Sequence, residues 1–134
     1  MAPRTVGLVA IGGAIGTLLR DGVSRVAPVA VGTFPTTTLT INLAGTFCLG
    51  LLLGTLTRRR PHDAIWRPLL GVGVLGGFTT FSTFAVETVQ LIRADQVAIA
   101  ATYTVVSIVG GLFAAFLGAR CAGIAPRLVV EDEQ

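Results

Sequence analysis

The chain has 134 residues, of which 52% are hydrophobic and only 13% charged, where a soluble domain carries roughly a quarter charged residues. With a mean hydropathy of +0.79 it is too apolar for a soluble domain and reads as an integral membrane protein. All ten basic residues are arginine, the formal net charge is +3, and no basic run with interleaved aromatics marks a nucleic-acid surface.

Four apolar segments follow one another, at 5–26, 36–57, 68–92 and 97–119, each close to the ~20 residues that cross a bilayer as a helix. Helix is the only economical way to satisfy backbone groups there, so residues 1–134 are expected to form one all-α domain of four spans. The first segment opens on "MAPRTVGLVAIGGAIG", which is similar to a signal peptide but lacks a small-residue cleavage site followed by a soluble domain, and is read as span one. Gly12, Gly16 and Arg20 line up along it, and Arg20 and Asp21 interrupt it near its end. The turn "VAPVAVGTFP" (26–35) leads to span two, where Thr38, Asn42, Gly45 and Thr46 share a face. "RRRPHDAIWRP" (58–68) is the strongest break, holding the sole histidine, His62, and Trp66, which suits a membrane interface.

Span three contains "GGFTTFSTF" (76–84), a polar and breakable stretch inside an apolar run. Thr80, Thr83 and Glu87 form one line along it, with Phe78, Phe81 and Phe84 stepping beside them at every third residue. "RADQ" (93–96) is so short that spans three and four are expected to be an antiparallel pair, and span four carries a stripe of Tyr103, Ser107, Gly110, Gly111 and Ala114 before the polar tail "RLVVEDEQ". The pairs Gly12 and Gly16, Gly50 and Gly54, and Gly73 and Gly77 have the four-residue spacing that lets helix backbones approach in lipid. Cys48 and Cys121 have no metal-ligand spacing and imply no disulfide.

Each polar residue has a structural and a functional reading. Serine and threonine hydroxyls bond to their own helix four residues back. Asn42 serves either as interhelical glue or as a donor to a solute, the phenylalanines either pack or present ring edges, Arg20 either snorkels or faces a solute, and Glu87 lies either within the membrane or near its surface. Convergence favours the functional side: three spans offer hydrogen-bond donors, and almost no intramembrane acid or base accompanies them. Hydroxyls and an amide donate to an anion, and aromatic ring edges carry partial positive charge. Proton-coupled transport needs an ionisable group deep in the membrane, for which Glu87 is the sole candidate. No Ser-His-Asp set, metal cluster or nucleotide loop is visible, so the chain does not read as an enzyme.

"GGAIGTLLR" (12–20), "TTLTINLAGTFCLG" (37–50) and "GGFTTFSTFAVET" (76–88) resemble, in order and spacing, the three motifs of the CrcB/Fluc fluoride channels, and the third is highly specific. The resemblance covers all four spans. It implies a multi-pass protein of the cell membrane, an antiparallel two-fold dimer that exports fluoride passively through two pores and so lowers its cytoplasmic concentration. It further implies a third span broken at its glycines, with a structural sodium ion at the dimer centre held by the backbone carbonyls of Gly76 and Thr79 from both subunits. Phe81 and Phe84 match the phenylalanines whose ring edges flank the fluoride path, Asn42, Ser82 and Thr83 the polar groups beside it, Tyr103 and Ser107 the pair from span four, and Arg20 the arginine of the vestibule. Two residues depart from the family pattern: Asp21 stands where an aromatic is common, making the vestibule less positive, and Ala85 where serine is common. The physical logic suits fluoride, a small and strongly hydrated ion: closely spaced donors replace its water without a full fixed charge that would trap it.

Two alternatives remain: a small proton-coupled four-span multidrug-type exporter, which wants a central acid in span one, where only Asp21 stands near the end, and a non-transporting assembly subunit. Arg4, Arg58, Arg59, Arg60, Arg67, Arg120 and Arg127 flank one side of the membrane and Arg20, Arg25 and Arg93 the other, a bias that predicts cytoplasmic termini. An antiparallel homodimer needs insertion both ways, so a heterodimer with a homologous subunit of opposite bias stays open beside it.

Overall fold

A computed structural model of the chain describes residues 2–30, 32–59 and 64–123, and all regular structure among them is helical. Arg60, His62, Arg127 and the polar tail lie outside the described residues. In chain order the elements are α1 (Pro3–Val26), α2 (Thr36–Arg59), a π-helical segment (Arg67–Leu75) running straight into the single turn α3 (Gly76–Phe78), then α4 (Phe81–Arg93) and α5 (Val97–Cys121). Pro3–Val26, Thr36–Arg59, Arg67–Arg93 and Val97–Cys121 are each long and apolar enough to cross a membrane. These are the four spans that hydropathy predicts, and the third is indeed broken.

The break does not fall at the glycines. Gly76 and Gly77 are helical, and the chain becomes extended two residues later, at Thr79 (φ −75°, ψ 157°) and Thr80 (φ −144°, ψ 121°). Two adjacent β-branched residues suit an extended backbone. The glycines have another use: a Cβ on Gly77 would stand 2.5 Å from the Gly13 carbonyl oxygen and 3.0 Å from its Cα.

That contact belongs to a seam in which the backbone of α1 lies directly on the first half of span three. A Cβ on Gly12 would run into the Leu69 carbonyl and one on Gly16 into the Val74 carbonyl, while one on Gly73 would come within 2.9 Å of the Gly12 Cα. A second seam joins α2 to α5, where Gly50 faces the Ala115 carbonyl, Gly54 the Ala122 methyl, and Gly118 the Phe47 carbonyl. All three four-residue glycine pairs therefore sit at helix contacts, as packing in lipid requires when no hydrophobic force drives helices together.

The turn after α4 reverses the chain through Asp95 at φ 58°, and α5 returns beside α4 around a buried cluster of Leu91, Ala100 and Tyr103, flanked by Phe34, Leu39, Phe84 and Ile99. The antiparallel neighbours thus meet through side chains, whereas the backbone of α5 comes closest to α2. Large apolar side chains elsewhere point outward, with Leu18 72% and Leu112 70% exposed. Lipid tails are as apolar as leucine, so such faces carry no penalty inside a bilayer.

Candidate functional site

A break in a membrane helix leaves backbone groups without partners, and each costs several kcal/mol, of the order of an unpaired polar group in hydrocarbon. In an unbroken helix the Thr80 N–H would donate to the Gly76 carbonyl and the Thr83 N–H to the Thr79 carbonyl. Both are diverted. The Thr80 N–H donates to Asn42 Oδ1 at 2.8 Å, while Asn42 Nδ2 donates to the Thr80 carbonyl at 3.0 Å, so one side-chain amide pairs with a whole peptide unit. The Thr83 N–H donates to Thr80 Oγ1 at 3.1 Å, which makes Thr80 the N-cap of α4. The carbonyls of Gly76 and Thr79 are thereby released from the helix, and the Thr79 carbonyl accepts from Arg20 Nη1 at 3.2 Å.

Each participant is placed by the local periodicity of its own helix. Asn42 lies on the α2 face shared with Thr38 and Gly45, and Gly45 has no side chain to hold off Thr79 Cγ2 and the Phe78 ring. Arg20 stands one turn beyond Gly16 on the α1 face that lies against span three, so it reaches inward rather than snorkelling. Asp21 turns away from Arg20: its Oδ2 accepts from Arg25 Nε at 2.7 Å on the exposed side of α1. The Thr46 hydroxyl donates to the Asn42 carbonyl in its own helix.

Beside the break lies a cleft of about 330 Å³, open on one side. Asn42, Gly76, Thr79, Phe81, Phe84 and Ser107 all line it, so the structure gathers these six of the expected site residues around one space. The Phe81 and Phe84 rings are 5.8 Å apart, and Phe81 is 80% exposed on the open side. Phe78, which the sequence spacing put in line with them, lies before the break and packs toward Gly45 instead. The Ser107 hydroxyl is buried and has no hydrogen-bond partner among the described residues. Ser82 and Thr83 cluster at the cap: Thr80 Oγ1 donates to Thr83 Oγ1 at 2.9 Å and lies 3.3 Å from Ser82 Oγ.

Tyr103 stands one layer behind the cleft. It is fully buried, its ring 5.1 Å from that of Phe84 and edge-on to Phe34 at 5.6 Å. Its hydroxyl donates to Glu87 Oε2 at 2.8 Å, and the Thr38 hydroxyl donates to Glu87 Oε1 at 2.7 Å. Thr38 and Glu87 were not among the expected site residues. The signal for them was present, because a lone acid within an apolar span needs partners, but the pairing across α2, α4 and α5 is tertiary.

The model of the family described as CrcB-like protein, Camphor Resistance (CrcB), matches residues 7–119. The fluoride-specific ion channel FluC of Novosphingobium aromaticivorans is 44% identical over 113 residues, covering 82% of this chain and 89% of that protein. The FluC protein of Thermus thermophilus is 44% identical over 117 residues, 87% of this chain and 93% of its own length. FluC 1 of Mycobacterium tuberculosis is 42% identical over 114 residues, with 85% and 86% covered.

Proposed function

The chain belongs to the CrcB family, and on that premise we propose that it is a fluoride-selective channel of the cell membrane, through which fluoride leaves passively and its cytoplasmic concentration falls. It is a transport protein, not an enzyme. The observation that carries this reading is the cleft at the break, where a hydroxyl without an acceptor (Ser107), an amide with one of its two N–H groups given to the Thr80 carbonyl (Asn42) and two phenylalanine rings meet. Hydrogen-bond donors and ring edges attract an anion without a full charge to trap it. The proton-coupled alternative needs a carboxylate free to exchange protons with its solute. Glu87, the acid of span three, has both oxygens occupied by hydroxyl donors instead.

On this reading Phe81, Phe84, Asn42 and Ser107 flank the fluoride path, Tyr103 supports the Phe84 ring from behind, and Ser82 and Thr83 extend the hydroxyl row from the cap of α4. Arg20, matched to the vestibule arginine, carries its positive charge inward beside the break, where it donates to the Thr79 carbonyl. The cleft is open beside the exposed Phe81 and Gly76, and on this reading a second copy of the chain, antiparallel to the first, covers it. The carbonyls of Gly76 and Thr79 suit a sodium ion at the axis of that dimer, since the break deprives both of their helical donors and a hard cation takes oxygen ligands. Bound there, sodium would supply a positive charge that the carbonyls of the two broken helices share.

Efflux from liposomes, read with a fluoride electrode and with no proton gradient imposed, tests the function. Fluoride is expected to leave far faster than chloride. Phe81→Ile and Phe84→Ile keep bulk and lose the ring edge, so both should slow efflux steeply while the protein stays folded. Equal fluoride and chloride fluxes, or a strict need for a proton gradient, would defeat the reading.

A further inference from the structure

Arg20 enters the site from an unexpected direction. A vestibule arginine would be aimed at solvent, yet this guanidinium turns into the protein and donates to the Thr79 carbonyl at 3.2 Å. The carbonyl is available because the Thr83 N–H, its helical partner, is held by Thr80 Oγ1 at 3.1 Å. Arg20 is delivered there by a rigid seam: Gly12 and Gly16 of α1 lie backbone to backbone against Leu69, Gly73, Val74 and Phe78, and Arg20 follows Gly16 on the same face after one turn. A positive charge carried by the chain therefore bonds one of the two carbonyls that the sodium reading assigns to the ion.

We infer that Arg20 is a built-in surrogate cation for the broken span, holding the Thr79 carbonyl when sodium is absent and yielding it when sodium binds. The inference rests on the sodium reading above. Two like charges sharing one oxygen in a low-dielectric site repel strongly, so the guanidinium and the ion are competing partners of Thr79. Without either, the released carbonyl would be unpaired at the break. Arg20 is thus a positioning residue: it keeps the extended Thr79–Thr80 segment in place before the ion arrives, and it weakens sodium binding in doing so.

The test is a sodium titration of thermal stability, with protein purified throughout in N-methylglucamine in place of sodium. The wild type should gain stability as sodium is added, from a baseline already well folded. R20Q should start from a lower melting temperature in sodium-free buffer and reach half of its gain at a sodium concentration about tenfold lower, the order of coupling typical of two linked ligands. R20K keeps a charge on a shorter donor without the guanidinium fork, so both readings should fall between those of the wild type and R20Q. R20K carries the test alone if R20Q does not fold. A sodium midpoint unchanged or raised in these variants would overturn the exchange while leaving the sodium site standing. A wild type indifferent to sodium would overturn both.

Discussion

Asn42 spends both ends of its amide on one peptide unit, that of Thr80. An ordinary interhelical hydrogen bond in a membrane contributes only about 0.6 kcal/mol, because the groups find other partners when it is lost. The Thr80 peptide has no such freedom: its N–H and carbonyl are fixed by the extended backbone and buried by Thr80 itself, which is 7% exposed. With ~1–3 kcal/mol lost for each stranded group, Asn42→Leu is expected to destabilise the protein by about 2–6 kcal/mol in an SDS-titration unfolding measurement. A loss under about 1 kcal/mol would mean that water takes over the Thr80 peptide. Glu87 shows the same economy, one carboxylate serving Thr38 from α2 and Tyr103 from α5.

At the scale of elements, α1 acts as a strut along the first half of span three, and its fit depends on absent side chains. A methyl group on Gly16 would meet the Val74 carbonyl and stand 2.8 Å from the Phe78 nitrogen, both backbone atoms that cannot swing aside. Gly7 on the same helix has nothing within 4 Å of its would-be Cβ. Alanine normally favours a helix over glycine by roughly 0.5–1 kcal/mol, so Gly7→Ala should be neutral or slightly stabilising. Gly16→Ala should instead lose about 1–3 kcal/mol to overpacking. Unfolding midpoints of the two variants decide it: equal effects would remove the seam as the reason for the glycine.

For the whole molecule, the arginines do two jobs at once. Arg58 Nη1 donates to the Ala122 carbonyl at 2.7 Å and Arg67 Nη2 to Thr57 Oγ1 at 3.0 Å, so the basic end of the bundle also ties helix termini together. Arg20, counted from sequence on the opposite side, bonds a carbonyl inside the protein and flanks no loop. The bias toward cytoplasmic termini is therefore stronger than the sequence count, while the proposed antiparallel homodimer needs both orientations. Because this chain has residues matching all three motifs that the resemblance rests on, dual insertion is the expected outcome. Ala64→Cys, in a background with Cys48 and Cys121 replaced by alanine, should be labelled by an impermeant reagent from both sides of the membrane. Labelling from the cytoplasm alone, with no fluoride flux from the protein by itself, would establish a need for a homologous partner of opposite bias.

Span positions, glycine contacts and the polar inventory were all legible in the sequence, because hydropathy and helical spacing are local properties that survive any arrangement of the helices. Gly12, Gly16, Gly50, Gly54, Gly73 and Gly77 could be recognised as packing residues without knowing what they touch. The site of the break could not. Glycines at 76 and 77 are the weakest local helix formers of that stretch, yet the chain opens at Thr79 and Thr80, because an amide 38 residues away offers the Thr80 peptide both a donor and an acceptor. The inward turn of Arg20, the burial of Tyr103 behind Phe84 and the two hydroxyls on Glu87 were likewise decided by the tertiary structure. In a medium without water, a polar group takes whatever partner the packed helices bring within reach, and residues distant in sequence are what that packing brings together.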